Sequence, residues 1–535
     1  ELFEKLASEQ DASRVKPPER YVVKYIGPER GDVPFFSVSD VDPVPAAQQE
    51  YDDLFPGVSL SDEEVKPYVA AASDFVKNVW FSGKINASKK AKAAPRVIRR
   101  SRLRTGGAGR IPGSQSALFA SLCKRNTNIP DNRGQVKLNE VAEAMVDKMI
   151  EVSYVDGWQN ILARELTGGL WQSSEVDIAE YVPKVETSKM AKLMNSFFDA
   201  SDEDLSKWLM MVKSVAKPPV DAAAHAKVQL PQTILYSEQS PVTAKYSAMH
   251  TRLYEVVRSM LRPNISFNNR DSPADHEVWF NSCQGLRDSC EEVIGVEGDI
   301  TCYDRSQEHM MLLFELTWYR RHGLNRDTLH LWEQTHGVKR ALSMMYGVVM
   351  YIVLQGVSGI FKTLFRNGLM CWGAVIYALD LRREDIISLD IVGDDFLAEL
   401  SRRVCLERAL DVYTLTCNFT VKLGRPEVLG ICSREWIYVR GWWYFVVNPV
   451  KRIESVSRAL VVNAPMDQLE EKWRSLVDDL RHYDDALVME VLAEAVKKRY
   501  ALVREPRAII RALATMAYSR SKYFASFGPE EVVCA

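Results

Sequence analysis

Leu389-Asp390-Ile391-Val392-Gly393-Asp394-Asp395-Phe396-Leu397 is the stretch on which the reading of this chain turns. Two adjacent carboxylates follow a glycine, with apolar residues on both sides. The pattern predicts a β-hairpin: a buried strand, a tight turn and a second strand. Gly393 suits the turn because it accepts backbone angles that other residues resist. Asp394 and Asp395 then stand at the tip, within reach of a cleft. Side by side they repel each other, which is tolerable if water solvates them or a divalent cation neutralises them. Gly-Asp-Asp arises by chance in roughly one chain in ten of this size. A solvated turn therefore competes with a catalytic one until the upstream sequence decides.

With 535 residues, 47% of them apolar, the chain can bury a large core in several subdomains. Its net charge of −3 favours no partner, but the charge is segregated. From Phe75 to Pro130 there are thirteen Lys and Arg and no Asp or Glu, which leaves −16 on the remainder. A basic tract on an otherwise acidic protein suggests a local polyanion site. Nine scattered cysteines lack any Cys-x-x-Cys pair and the eight histidines are dispersed, so no zinc pattern arises and a reducing compartment fits. The start at Glu1-Leu2-Phe3-Glu4 carries no secretory signal and suggests a piece of a longer protein. The apolar run Ala341 to Phe361 approaches spanning length. Its Ser343, Gly347, Gln355, Gly356, Ser358 and Gly359 argue for buried strand and loop, with no direct membrane span.

Residues 1 to about 75 are rich in Pro, Asp, Glu and Ser and predict an irregular extension. The basic tract follows, with Lys89, Lys90, Lys92, Arg96, Arg99, Arg100, Arg102 and Arg104; a solvated linker and an RNA contact explain it equally well. From Gln135, Leu138, Val141, Ala142, Met145, Met149 and Ile150 share one face of an amphipathic helix. Lys213, Lys217 and Lys227 lie along proline-marked extended chain, where lysines can serve as donors to a triphosphate. Val293 to Cys302 reads as a buried strand containing Asp299, with Asp304 just beyond it and a helix opening near Ser306. An aspartate inside an apolar strand is costly unless a cation accompanies it. Downstream, Ser358-Gly359 opens a helix with Thr363 and Asn367 one turn apart. After the hairpin come a helix to about Thr416, the segment Asn418 to Lys422, a strand-rich stretch from Cys432 to Pro449, and helices. Leu469, Trp473, Leu476, Val477 and Leu480 share a face after the start signal at Pro465. Lys497 to Lys522 holds eight basic residues against Glu505 alone, a solvated face or a contact with an exiting duplex.

An aspartate strand, a Ser-Gly helix and an Asp-Asp hairpin thus follow one another. Carboxylates converging from adjacent strands are what two-metal phosphoryl transfer requires, with two cations roughly 3.5–4 Å apart. Magnesium suits carboxylate and phosphate oxygens, with Mn2+ as the alternative.

At these residues the sequence resembles the RNA-dependent RNA polymerases of positive-strand RNA viruses, in the alphavirus-like superfamily, with tobamovirus-like polymerases nearest. Asp299-x4-Asp304-Arg305-Ser306-Gln307 resembles motif A, Ser358-Gly359-x3-Thr363-x3-Asn367 motif B, and Gly393-Asp394-Asp395 motif C. Asn418 to Lys422 is similar to motif D, Cys432-Ser433-Arg434-Glu435 to the motif E turn, and Lys213 to Lys227 to motif F. The resemblance runs from about Leu103 to Phe524. It implies an α+β right-hand polymerase whose antiparallel palm sheet is backed by helices. The implied division is an N-terminal extension (1–102), fingers (103–292), palm (293–315), a fingers insertion (316–355), palm (356–446) and a helical thumb (447–535).

The resemblance also implies roles. Asp299, Asp394 and Asp395 hold two Mg2+ ions, and Lys422 is the general acid for pyrophosphate. Lys213, Lys217 and Lys227 meet the triphosphate. Asp304 and Asn367 read the ribose 2′-hydroxyl, with Ser358, Gly359 and Thr363 completing the nucleotide site. Arg99, Arg100, Arg102, Lys451 and Arg452 contact RNA. Implied partners are RNA template and product, NTPs, viral helicase and capping replication proteins, and host factors. The implied location is the host cytoplasm, at membrane-associated replication complexes reached through partner proteins. Cys302 and Tyr303 depart from the commoner motif A residues, and Ala226 stands where relatives often have arginine. A reverse transcriptase shares the carboxylate geometry, but Gly393 and the polar Asp304–Asn367 pair disfavour it. A non-catalytic RNA-binding scaffold with a polymerase fold is the alternative from another class. No Gly-Lys-Ser/Thr phosphate loop supports a helicase or capping enzyme.

Overall fold

The computed structural model describes residues 41–59, 66–67, 79–82, 96–111, 113–123, 126, 134, 137–172, 207–213, 228–229, 232–237, 240–267, 271–301, 303–326, 329–330, 333, 337–356, 363–462 and 465–533. Lys217, Lys227, Ser358, Gly359 and the run Lys89–Lys92 lie outside them.

A five-stranded sheet carries the Gly-Asp-Asp hairpin. Its strands are β1 (Ile265–Phe267), β2 (Ile294–Ile300), β3 (Ile386–Val392), β4 (Asp395–Leu400) and β5 (Val421–Gly424), in the spatial order β5-β2-β4-β3-β1. All neighbours are antiparallel except β3 and β1, which run parallel. Register divides the residues between two faces, because side chains alternate along a strand. One face carries Leu389, Ile391, Phe396, Ala398, Leu400, Val296 and Ile300, all in the largest apolar cluster of the protein. Among the helices that contribute to that cluster are α1 (Leu138–Ser153), α2 (His309–Arg321) and α3 (Thr363–Ala378). In α1 the buried Ala142, Met145, Val146, Met149 and Val152 follow the helical period that the sequence predicts.

The opposite face is polar, and its lower rows are nevertheless buried. Asp390 and Glu399 are 0% and 1% exposed. The segment Pro273–Asp288 supplies their partners. His276 Nε2 lies 2.5 Å from Asp390 Oδ2, and Arg287 grips Glu399 through Nε and Nη2 at 2.5–3.0 Å. Ser388 donates to the same carboxylate at 2.7 Å, and Arg287 Nη1 donates to the Phe280 carbonyl at 2.8 Å. Buried charges need such pairing, since an unpaired one costs several kcal/mol. Aromatic side chains seal this layer. Phe280 stacks on Trp436 at 3.8 Å between ring centroids, and Trp436 on Phe445 at 4.3 Å. Trp436 and Phe445 come from the small sheet β6 (Gly430–Ile431), β7 (Arg434–Val439) and β8 (Trp442–Val447).

Beyond it lies a helical body of α4 (Pro449–Ser457), α5 (Pro465–Asp479), α6 (Ala486–Arg499) and α7 (Arg507–Tyr518), with its own apolar cluster. The sequence predicts an irregular extension before residue 75; here the chain instead forms helix Pro43–Leu54, docked into this body. Tyr51 donates to Glu454 Oε1 at 3.1 Å, and Glu50 accepts from the Ile509 backbone N–H at 2.7 Å. Asp42 caps the helix and Pro43 takes its first turn, where a missing N–H costs nothing.

Strand Arg96–Arg100 sits between Leu460–Val462 and Glu531–Val533, antiparallel to both. Its arginines have acidic neighbours: Arg99–Glu530 at 2.9 Å and Arg100–Glu531 at 3.6 Å, with Arg102–Asp42 at 2.7 Å just beyond. These pairs give the three arginines a structural role that the sequence reading, which assigned them to RNA, did not anticipate. Another five-stranded sheet orders Val79–Ser82, Val348–Val353, Val338–Ser343, Lys207–Lys213 and Gln232–Ser237. The apolar run from Ala341 is thus an antiparallel hairpin as far as Val353. Among the described residues no helix is long and apolar enough to cross a membrane.

Candidate active site

The hairpin turn is two residues long, since Val392 pairs with Asp395 and leaves Gly393-Asp394 between the strands. Gly393 takes φ +62° while Asp394 stays out of the left-handed region, the requirement of a type II′ turn. A Cβ on residue 393 would also stand 3.1 Å from Leu364 Cδ1. The start of α3 therefore lies directly beside the turn. Cys371, two turns further along α3, places its Sγ 3.7 Å from the Asp394 carbonyl.

Across the sheet, Asp395 stands opposite Asp299, and Asp299 opposite Lys422. Register puts all three on the polar face, in its uppermost row, beyond the cover that neutralises Asp390 and Glu399 below. An open cleft of about 600 Å³ lies over this row. Asp299, Asp395, Lys422, Lys451, Cys432 and Arg434 line it, with Glu297 and Arg499 beneath. The expectation that Asp299 is buried in an apolar strand does not hold: it is exposed, although Gly298 and Ile300 beside it are buried. Apolar neighbours in sequence point to the other face of the sheet, so an apolar strand does not bury every side chain that it carries.

The site is over-supplied with negative charge. Asp395, half-buried, has its carboxyl pushed up to about 6, first by burial and then by the charges of Asp394, Asp299 and Glu297. Cys432 works against this, its thiol lying 3.4 Å from Asp395 Oδ2. Burial of the thiol, and then the charges of Asp395, Asp390 and Asp394, drive Cys432 far up, so it stays protonated as a donor. Cys432 and Ser433 are the two turn residues between β6 and β7, with φ of +52° and +64°. The motif E resemblance marks Cys432 as a turn residue in the sequence but says nothing of its contact with Asp395.

The donors fit a divalent cation: carboxylate oxygens are hard ligands, and the raised Asp395 carboxyl registers a repulsion that such an ion would relieve. Among the described residues no three His, Cys, Asp or Glu side chains stand together in a group that could hold a metal ion. Asp299 and Asp395 hold neighbouring positions, with Asp394 on the adjoining turn.

The other sequence-assigned residues are distributed as follows. Asn367 is half-buried on α3, and its backbone carbonyl accepts from the Tyr303 hydroxyl at 2.9 Å. Asp304 and Thr363 have their backbones in Tyr303–Ser306 and α3; their side chains lie outside the described residues. Lys213 ends strand Lys207–Lys213, opposite Gln232, and is not among the cleft-lining residues. Lys451 is exposed on the cleft wall, whereas Arg452 turns to Asp479 at 2.7 Å. Arg499 bridges the helical body to the sheet, 3.1 Å from Glu297 and 2.8 Å from Glu435. Glu297 is given no role by the sequence, where it reads as an ordinary surface charge; Arg434 enters there only within the motif E resemblance and Arg499 only within the basic stretch Lys497 to Lys522.

Comparison with known proteins gives a concordant result. Residues 72–526 match the family described as RNA dependent RNA polymerase. The chain is 24% identical over 469 residues to the replicase large subunit of Tobacco rattle virus (isolate PpK20), covering 87% of this chain and 26% of that protein. It is 24% identical over 475 residues to the replicase large subunit of Potato mop-top virus, with 87% and 25% covered. To the RNA-directed RNA polymerase of Barley stripe mosaic virus it is 23% identical over 488 residues, with 90% and 60% covered. The chain thus spans about a quarter of the length of the two replicase subunits.

Proposed function

The chain belongs to the RNA-dependent RNA polymerase family, and from that premise we propose that it transfers nucleotides from NTPs to the 3′-hydroxyl of a growing RNA, directed by an RNA template, in viral genome replication and transcription. The observation that carries the proposal is the row Asp395–Asp299–Lys422 across three strands, open to the cleft beside the Asp394 turn.

Asp299, Asp394 and Asp395 are the groups that would hold two divalent cations, Mg2+ by preference. Bound there, the ions would supply charge neutralisation at the attacking hydroxyl and the leaving pyrophosphate. The protein does the rest. The sheet fixes the two strand aspartates at one level, and the two-residue turn holds Asp394 next to them. Lys422, opposite Asp299, is placed to donate a proton to the departing pyrophosphate. Cys432 donates to Asp395 and holds that carboxylate in one orientation. Lys451, on the cleft wall, offers positive charge to a phosphate backbone, whereas Arg434 is held by Asp479 at 3.2 Å. Lys213, Lys217 and Lys227 remain assigned to the triphosphate, and Asp304, Ser358, Gly359, Thr363 and Asn367 to the nucleotide.

In this reading the sheet β1–β5 with its helices is the palm. The sheet containing Lys207–Lys213 belongs to the fingers, and the helical body from Pro449 is the thumb. Viral replication proteins and host factors are the proposed partners, and cytoplasmic membrane-associated replication complexes the proposed location.

The test is primer extension on an RNA template with Mg2+, comparing the unaltered chain with Asp394→Asn. A loss of at least about a hundredfold is expected when a group that stabilises transition-state charge is removed. Activity near that of the unaltered chain would defeat the assignment. Extension with dNTPs as efficient as with NTPs would favour a reverse transcriptase instead. No extension by the unaltered chain would favour a scaffold.

A further inference from the structure

Behind Asn367 runs a line of polar side chains that the mechanism above does not use. Gln307 Nε2 donates to Asn367 Oδ1 at 3.0 Å. Arg366 Nη1 donates to Gln307 Oε1 at 2.6 Å, and Arg366 Nε donates to Glu315 Oε2 at 2.8 Å. Gln307, Arg366 and Glu315 are 0%, 1% and 1% exposed, so Asn367 alone reaches the surface. Glycine at 356 makes room for the line: a Cβ there would stand 2.3 Å from Gln307 Oε1.

The chemistry of these groups gives the line a direction. A guanidinium has donors only. The oxygen of Gln307 must therefore face Arg366, and its NH2 must face away, toward Asn367. Asn367 can meet that NH2 only with its own oxygen. Its amide is thereby fixed with the oxygen inward and the NH2 left over, pointing out of the network. Without the line, an asparagine amide could present either end, since the two are nearly isosteric.

We propose that Gln307, polarised by Arg366, is a positioning residue that makes Asn367 a hydrogen-bond donor toward the ribose of the incoming nucleotide, so that the 2′-hydroxyl is read through its lone pair. The inference rests on the polymerase reading and on Asn367 as a sugar contact. It adds which way the contact is polarised, and what enforces it. The neighbourhood is suitable, because Tyr303 ties the Asn367 backbone to the residue beside Asp304, and the same end of α3 lies against the Gly393–Asp394 turn.

Gln307→Glu reverses the polarity. A carboxylate accepts from Arg366 and also from Asn367, which must then turn its NH2 inward and present its oxygen to the sugar. The experiment is single-nucleotide primer extension by the full chain with three substrates: the NTP, its 2′-fluoro analogue, which can only accept, and its 2′-amino analogue, which can donate. The ratio of kcat/KM for amino over fluoro is expected to rise about tenfold or more in Gln307→Glu, mainly through KM, as a hydrogen bond is exchanged for an unpaired group. A purely structural role for Gln307 would lower all three substrates together. An unchanged ratio in a variant that still extends with NTPs overturns the inference. If Gln307→Glu does not fold, by thermal melting, Gln307→Leu takes its place; it frees the Asn367 amide, and the ratio should move the same way by at least about threefold, with no movement again overturning the inference. Failure of the unaltered chain to extend any primer would bring down the polymerase reading, and this inference with it. That is distinct from an active enzyme whose ratio does not move.

Discussion

Asp395→Asn should make this protein more stable at neutral pH while it destroys activity. The Asp395 carboxyl sits at about 6 in the fold against 3.8 for a free side chain. A group that binds its proton more tightly folded than unfolded stabilises the fold in acid. That contribution is complete below about pH 4 and is lost as the pH rises to about 6. Two units at 1.36 kcal/mol each correspond to about 3 kcal/mol of burial and repulsion carried by the ionised form at neutral pH. Water in the open cleft takes a share, so about 1–3 kcal/mol is the expected gain when the charge is removed. For a chain of this length each kcal/mol moves the melting midpoint by about 1 °C. Fluorimetric melts of the unaltered chain and of Asp395→Asn should therefore differ by about 1–3 °C at pH 7.5, and the gap should shrink to about a third of that at pH 4.5. Millimolar Mg2+ should raise the unaltered chain more than the variant, because the former has one more carboxylate and more repulsion to relieve. A variant no more stable at pH 7.5, or a gap of the same size at both pH values, would refute the reasoning.

Two further outcomes follow from buried groups. Arg287→Met leaves the Glu399 carboxylate buried with only Ser388 to solvate it, and should cost about 3–5 kcal/mol in urea unfolding, much of it recovered by adding Glu399→Leu. His322 is fully buried, accepts from the Tyr154 hydroxyl at 2.8 Å and donates from Nδ1 to the Trp318 carbonyl at 2.7 Å. Burial pushes its imidazole down to about 4, so stability should fall as the pH drops from about 6.5 toward 4, where the unfolded chain binds a proton that the fold refuses. His322→Gln should be weaker at neutral pH by about 1–3 kcal/mol and should flatten that acid slope, read from urea midpoints across the range.

The local elements were legible in the sequence because their signals are local. The hairpin with its tight turn, the helix from Leu138 and the strand around Asp299 all follow from periodicity and one glycine, although Asp395, expected at the tip, is already the first residue of its strand. What joins them was not legible. No property of residues 299, 395 and 422 states that they share one row; that depends on pairing across long loops. The buried partners His276 and Arg287 look like ordinary surface residues until the two short helices bearing them, Pro273–Ser282 and Gln284–Asp288, are laid over the sheet. Asp299 was expected to be buried because its neighbours are apolar, but strand alternation sends them to the opposite face. Helix Pro43–Leu54 was missed although Asp42-Pro43 is a good start signal, since Pro and acidic residues dominated its surroundings. The orientation of the Asn367 amide lies deeper still, in which atoms of Gln307 and Arg366 can donate.

Strand Arg96–Arg100 has a consequence for the making of the protein. Ile98 pairs with Val462 on one side and Glu531 on the other, so neither neighbour exists when the strand leaves the ribosome. At roughly 5–20 residues per second, the nascent strand waits roughly half a minute or more for its last partner. During that interval both its edges are open to passing chains. Arg96, Arg99 and Arg100 make it a poor template for them, because charge on an unpaired edge discourages adventitious pairing. The same arginines that later meet Glu530 and Glu531 thus act first as chaperones of their own unfinished sheet.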